Sequence, residues 1–233
     1  RDGAETLVLG VFHRGLQNCY RVSTTDGKTL IVDSDHLWVI RDPHGRKELV
    51  ISTQDLYTQP YYWRERVKCQ IPAVKPIELQ EKDFLISPYI LGTLLGDGGL
   101  SSGAVILTIA DKGITDKVVS ELPDGISLRH KSGYDYSITE TVKKRDRNGY
   151  GFSRITTELK RLNLMGHYSY NKFIPKEYAF ASINQRVELL RGLMDTDGYI
   201  CKNRAMEFYT TSEALKNDFV FLVESLGGKC RVS

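Results

Sequence analysis

The feature that most constrains this chain is a nine-residue pattern that occurs twice. Ile90-Leu91-Gly92-Thr93-Leu94-Leu95-Gly96-Asp97-Gly98 and Leu190-Arg191-Gly192-Leu193-Met194-Asp195-Thr196-Asp197-Gly198 are both apolar runs with glycine third and Asp-Gly last. Their final aspartates stand 100 residues apart, an interval that points to duplication of a structural unit. Each run suits a buried helix. Positions i and i+4 share a helix face, so Gly92 with Gly96, and Gly192 with Thr196, form strips of small residues through which two helices can approach closely. Packed in parallel, the helices would bring Asp97 and Asp197 together at their C-terminal ends. Two carboxylates beside two negative helix-dipole ends repel each other. A divalent cation relieves that repulsion, and hard oxygen ligands favour magnesium. For either copy alone, the plainer reading is an Asp-Gly helix end with no further role.

Leu190 to Gly198 resembles the LAGLIDADG motif of homing endonucleases, with identities at Leu190, Gly192, Leu193, Asp195, Asp197 and Gly198. The first copy resembles the LGxxLGDG variant found in the endonuclease domains of inteins. The resemblance implies hydrolysis of both strands of a specific double-stranded DNA site, with Asp97 and Asp197 as catalytic residues and metal ligands.

Composition sets wider bounds. A chain of 233 residues, 41% of them hydrophobic, can bury a substantial core in one large domain or two small ones. No stretch approaches the roughly 18 uninterrupted apolar residues of a membrane span, and the N-terminus has no signal-peptide pattern. A cytoplasmic protein, or one located wherever a host protein resides, is expected. The net charge of +3 is weak evidence for a polyanionic partner, so charge distribution matters more. Cys19, Cys69, Cys201 and Cys230 have neither CxxC spacing nor a nearby histidine, which argues against zinc or a disulfide framework. The chain starts at Arg1 without Met and reads as a trimmed piece of something longer.

Residues 1–80 read as a β-rich module. Strands are expected at Leu7–Leu9, Cys19–Ser23, Thr29–Val32, Leu37–Ile40 and Glu48–Ser52, with turns at Asp26-Gly27 and Asp42-Pro43-His44-Gly45. The only helical stretch expected there is Thr53–Leu56. Tyr20-Arg21-Val22, Asp26-Gly27 and Asp33-Ser34-Asp35-His36-Leu37-Trp38 resemble the Hint splicing fold of inteins. That resemblance makes His36 the candidate splicing histidine, helping to drive the first acyl shift, with Trp38 in the core. Asp33 stands where the family usually has threonine. The terminal splicing blocks are expected to be absent, so the chain by itself is not expected to splice. The aromatic and basic stretch Tyr61–Lys68 reads as a connector, and Pro88 suits a first helical turn.

Beyond residue 88 the pattern is helix, hairpin, helix, hairpin, helix. Hairpins are expected over Leu100–Ile109 and over Ile126–His130 with Tyr134–Thr139, and helices over Thr115–Leu122 and Ser153–Leu162. A second copy is expected to begin at Asn184, with a hairpin about Lys202-Asn203 and a helix over Ser212–Leu226. In the resembled family such hairpins form a saddle in the major groove, and alternate side chains of a two-stranded ribbon can read base edges. The candidate DNA contacts are Arg129, Lys131, Tyr134 and Tyr136 in the first unit. In the second they are Lys202, Asn203, Arg204, Glu207 and Tyr209. The basic loop with Lys143, Lys144, Arg145 and Arg147 suits phosphate contact. Each of these also fits a solvated strand face. Asn171-Lys172-Phe173-Ile174-Pro175 resembles the Lys-x-Ile-Pro element of intein endonucleases, which makes Lys172 a third catalytic candidate beside a scissile phosphate; a surface lysine before a turn is the alternative.

The expectation is an α+β chain. A Hint-like β module with connector occupies 1–80. A pseudo-twofold LAGLIDADG (αββαββα) endonuclease domain occupies 81–233, with a first half at about 88–178 and an incomplete second half at about 184–233. The implied function is an intein-encoded, magnesium-dependent homing endonuclease. It would act as a monomer on double-stranded DNA, flanked by host exteins and without a membrane partner. The alternatives are a splicing element with a decayed nuclease and a DNA- or RNA-binding LAGLIDADG protein that does not cleave.

Overall fold

The structure is a computed structural model that describes residues 2–41, 47–58, 62–63, 66–67, 69–142, 144–145, 151–202 and 205–232. Lys143, Arg147, Asn203, Arg204, the expected turn at 42–45, and Tyr61, Arg64, Glu65 and Lys68 of the connector lie outside the described residues. The chain combines helices with small antiparallel sheets, as an α+β chain does, and divides into two compact units, 1–75 with 231–233 and 76–230.

In the first unit, β1 (Cys19–Ser23) pairs with β2 (Thr29–Asp33) across a turn where Gly27 takes φ +86°. A side chain at that φ is strained, so glycine suits the turn. β3 (Leu37–Arg41) pairs with β4 (Glu48–Ser52), which runs directly into α1 (Thr53–Thr58). Thr53 ties that corner. Its N–H donates to the His36 carbonyl at 2.9 Å, and its hydroxyl accepts from the Trp38 indole at 3.0 Å. Trp38 and Ile40 are the buried hydrophobic residues of this unit among those described. β5 (Tyr62–Trp63) and β6 (Arg66–Val67) form a further short pair.

Leu7–Leu9 is not a strand. A strand needs a neighbour to take its backbone donors and acceptors, and these three residues pair with none among the described residues and stand 82–96% exposed.

The second unit is built around α2 (Pro88–Asp97) and α6 (Ile183–Asp197). Ser87 caps α2 by accepting from the Ile90 N–H, and Pro88 needs no hydrogen bond at the first turn. A capping box between Ser182 and Gln185 starts α6. β7 (Gly98–Gly99) and β8 (Ile106–Thr108) follow α2, and α3 (Lys112–Glu121) comes next. The first hairpin pairs Gly98–Gly99 with Ile106–Leu107, so it opens two residues before the expected Leu100. The helix begins three residues before Thr115 because Asp111 caps it, accepting from Gly113 at 2.6 Å. β9 (Ile126–Ser132) and β10 (Asp135–Glu140) complete a four-stranded sheet ordered β7-β8-β10-β9.

β11 (Lys144–Arg145) pairs with β12 (Gly151–Phe152), and α4 (Arg154–Arg161) starts on its Ser153 cap. The short α5 (Lys176–Ala179) precedes α6. β13 (Gly198–Ile200) and β14 (Met206–Phe208) form the last hairpin, and α7 (Glu213–Ser225) is capped by Ser212.

Leu91, Leu94, Leu107, Val118, Ile155, Leu159, Leu189, Leu193 and Leu222 are almost fully buried in one core. Residues 76–86 strap onto this unit. Phe84 stacks on Tyr178 with ring centroids 3.8 Å apart, and Gln185 exchanges hydrogen bonds with the Lys82 backbone. Arg186, fully buried, gives its guanidinium to the carbonyls of Ala181, Ser225 and Ile77 and to the Ser225 hydroxyl. One side chain thus joins the strap, the start of α6 and the end of α7.

Candidate functional site

α2 and α6 pack in parallel through their small residues. A Cβ added to Gly92 would lie 2.9 Å from the Gly192 Cα, and one added to Gly192 would lie 3.0 Å from the Gly92 Cα. Four residues on, a Cβ on Gly96 would run into the Thr196 side chain and lie 3.3 Å from the Asp197 carboxylate. Gly92 therefore meets Gly192, Gly96 meets Thr196, and both helices end at the same place.

Both helices end in the same way. Gly98 and Gly198 are extended, at φ −83° and −89°, and their N–H groups donate to the carbonyls of Leu94 and Met194. Each leads straight into a strand, β7 or β13. A Cβ on Gly98 would fall 2.7 Å from the Leu94 Cα, and one on Gly198 would fall 2.8 Å from the Met194 Cα. Glycine is required at these ends by close approach to the last helical turn, not by a left-handed backbone.

The helix ends carry Asp97 and Asp197. Asp97 reaches solvent and Asp197 is half-buried. Both carboxylates are pushed above the ordinary aspartate range, chiefly by burial; for Asp197 the charge of Asp97 adds to the effect, and the Lys172 ammonium lowers both. Lys172 is 3% exposed, and its amine donates to the carbonyls of Leu94 at 3.0 Å, Gly96 at 2.9 Å and Gly98 at 2.8 Å. These are acceptors at the end of α2, so the three ammonium protons are all used to cap that helix. Burial pulls the Lys172 pKa down to about 8 against the raising effect of Asp197 and Asp97. The three carbonyls favour the charged form.

Two carboxylates and a capped helix end fit a hard cation. Magnesium is commonly held by one or two carboxylates, with waters and substrate phosphate oxygens completing its shell. Among the described residues no group of three or more His, Cys, Asp or Glu side chains could hold a metal ion. The side chains that could hold such an ion here are those of Asp97 and Asp197.

The sheets explain which DNA candidates share a face. Alternation along β9 and β10 puts Ile126, Leu128 and His130 with Tyr136 and Ile138 on the core side, where Tyr136 pairs with His130 and with Leu107 of β8. Arg129, exposed, stands on the opposite side, with Ser127, Ser137, Thr139, Ile106 and Thr108. Tyr136 and Arg129 therefore stand on opposite faces of the sheet. The Tyr136 ring lies edge-on to His130 at 5.3 Å on the inner face. Lys131 falls at the register shift beside Asp135, and Tyr134 is 63% exposed in the turn. Lys144 and Arg145 form β11.

On the second hairpin Tyr199 pairs with Glu207, and Phe208 stacks on Phe219 at 4.1 Å on the inner side. The Tyr209 hydroxyl donates to Glu207, and the Tyr209 N–H to the Asp197 carbonyl at 3.1 Å. Lys202 is exposed in the turn after β13. Tyr199, 56% exposed on that hairpin, was not among the sequence candidates; its signal was the period of two along the strand.

In the first unit His36 is exposed at the start of β3, with its ring edge-on to Trp38 at 4.8 Å. Asp33 lies 3.7 Å from the Arg14 guanidinium, which also holds Asp35 at 2.6 Å. The carboxylate at the position where the resembled family has threonine therefore has a counter-charge.

With this geometry described, comparison with known proteins identifies the second motif. Residues 184–232, running from α6 through β13 and β14 to α7, match the family model of a LAGLIDADG-like domain, a class that comprises homing endonucleases and related DNA-binding proteins. Two curated relatives align with nearly the whole chain. It is 28% identical over its full length to the replicative DNA helicase DnaB of Mycobacterium intracellulare, covering 38% of that protein. It is 25% identical over 92% of its length to the ATP-dependent DNA helicase Hel308 of Methanocaldococcus jannaschii, covering 17% of that protein. The chain thus spans well under half of either relative. Among the described residues no helix is long and apolar enough to cross a membrane.

Proposed function

We propose that residues 76–230 form a LAGLIDADG-type, metal-dependent endonuclease that cuts both strands of a specific double-stranded DNA site, acting as a monomer. The observation that carries this reading is the parallel packing of α2 and α6, which ends both Asp-Gly motifs at one place. The reciprocal contacts of Gly92 and Gly192 support a pseudo-twofold relation between the motifs.

Asp97 and Asp197 would hold the divalent cation, which when bound supplies Lewis-acid stabilisation of phosphodiester charge and acidifies water. The protein's own part is electrostatic and positional. Desolvation and mutual repulsion keep the two carboxylates primed to accept a cation. The Lys172 ammonium fixes the end of α2 and contributes positive charge where a phosphate would approach. Arg129, Lys131 and Tyr134 on the first sheet, and Lys202 and Tyr209 on the second hairpin, would contact DNA together with the basic segment from Lys143 to Arg147, Asn203 and Arg204.

The test is cleavage of a randomised duplex library with magnesium, comparing the chain with Asp97→Asn and Asp197→Asn. Loss of cleavage in both variants is expected. Unchanged cleavage in either, or none by the folded wild-type protein, would overturn the reading.

We infer further that residues 1–75 are part of a Hint-like splicing module and that the chain is the kind of segment carried as an intein within a host protein. The match runs along nearly the whole chain in two relatives, yet its share of them differs, 38% against 17%. That is the pattern of an insertion carried by hosts of unlike length. The Thr53 N–H fixes the backbone that carries His36, which suits a histidine that must be held in place. The parent insertion, tested in a reporter protein with His36→Ala as control, should splice only with the histidine intact. Equal splicing by the His36→Ala variant would remove that assignment.

A further inference from the structure

We propose that Asp218, aided by Ser212, is a positioning residue for the Lys172 ammonium and, through it, for the Asp97 end of α2. The link to Asp97 rests on the endonuclease reading above; the link to Lys172 does not.

The segment from Lys172 to Ile174 hangs from two side chains of the last helical element. The Ser212 hydroxyl donates to the Lys172 carbonyl at 2.6 Å, and the Ile174 N–H donates to the Asp218 carboxylate at 2.8 Å. Ser212, Lys172 and Ile174 are all at most 3% exposed. Between the two anchors, Phe173 lies edge-on to His167 at 5.5 Å. The backbone is thus held on both sides of Cα 173, and the long lysine stem starts from a fixed origin. That matters because burying a lysine side chain costs roughly 1.5–2 kcal/mol of rotamer entropy. The amine must also meet three carbonyls of α2 at once.

Asp218 has little other reason to be where it is. It is a half-buried carboxylate raised by desolvation, and the Ile174 N–H favours its charged form. Ser212 serves twice, since its oxygen also accepts from Leu215 to start α7. The hydrogen bonds form a chain of contacts from α7, which follows the second motif, through Lys172 to the end of the first motif. Each half of the site is thereby braced by the other.

The experiment compares Asp218→Ala with Asp218→Asn, which keeps an acceptor oxygen. Acetylation of lysines by an amine-reactive ester in the folded chain is read by mass spectrometry. Lys82, whose amine donates to the Glu177 carbonyl at 3.0 Å, is the internal reference. Losing one such hydrogen bond corresponds to about a tenfold rise in Lys172 labelling in Asp218→Ala. Near-normal protection in Asp218→Asn and no change at Lys82 are expected. Undiminished Lys172 protection in Asp218→Ala would overturn the proposal, and so would a parallel rise at Lys82, which would mean general loosening.

The second readout uses the duplex recovered from the randomised library. Asp218→Ala should lower kcat about tenfold with KM unchanged, and Asp218→Asn should restore it. A normal kcat in Asp218→Ala would overturn the link to Asp97. If the wild-type chain cuts no duplex, the endonuclease reading fails, and the labelling still decides whether Asp218 positions Lys172.

Discussion

Gly92 and Gly192 face each other so closely that a Cβ on either would come within 3.0 Å of the other's Cα. Neither neighbour is a side-chain tip that could swing away, so the backbones themselves would have to part. Gly92→Ala and Gly192→Ala should each destabilise the second unit by about 1–3 kcal/mol, the usual cost of overpacking. Urea denaturation would measure it. An unchanged midpoint in both would mean that the helices are not in this contact.

The aspartate pair predicts an unusual pH dependence. A carboxylate whose folded pKa is raised disfavours the folded state once ionised. Metal-free stability therefore falls as pH rises from the ordinary aspartate value through the raised one, then levels off. Asp97→Asn and Asp197→Asn should melt higher than wild type in chelator at neutral pH. That advantage should shrink as pH is lowered through the raised pKa. An advantage independent of pH would show that the carboxylates are not strained by burial and repulsion.

Magnesium should reverse the sign. A cation that binds only the folded state raises the melting temperature by mass action. Titrating magnesium should therefore stabilise wild type and leave the Asp97→Asn, Asp197→Asn double variant unmoved. Equal stabilisation of both would place any bound ion elsewhere.

Arg186 predicts a large stability effect away from the aspartates. Arg186→Ala takes the donor from the Ala181 and Ile77 carbonyls, while the Ser225 carbonyl keeps the Ile77 N–H, and each unsatisfied buried group costs about 1–3 kcal/mol. A loss of roughly 3 kcal/mol or more is expected by urea denaturation, with proteolysis opening first in residues 76–86. A loss well under 1 kcal/mol would mean that water replaces the guanidinium.

The two faces of the first sheet predict a division of effects. Arg129→Ala should weaken DNA binding and reduce its salt dependence while leaving the melting temperature alone, because the side chain stands on the open face. Tyr136→Ala should do the reverse, lowering stability by removing a ring packed on the inner face. Filter binding over a salt series, with melting curves alongside, separates them. The assignment of faces fails if the two variants behave alike.

Much of the second unit was legible because its signals are local. Apolar runs marked α2 and α6, Pro88 marked the first turn of α2, and the duplicated Asp-Gly marked their ends. The strand period in Ile126–Glu140 held as well. Misreadings arose where the deciding group lay elsewhere. Leu7–Leu9 has strand composition but no partner, and the start of α3 is set by Asp111, outside the apolar pattern. That Tyr136 and Arg129, both candidate DNA contacts, face opposite ways follows only from the strand register, which depends on neighbours.

The sequence by itself determined that two small-residue helices would each end in an acidic glycine turn, since helix periodicity and side-chain size are properties of the chain alone. Only the tertiary structure decided what surrounds those ends. The parallel meeting of Gly92 with Gly192, the delivery of the Lys172 ammonium to three carbonyls of α2, and its suspension from Ser212 and Asp218 all join residues tens of positions apart. Such contacts follow from how the core closes, because a buried charge takes whichever acceptors the packed backbone leaves within reach.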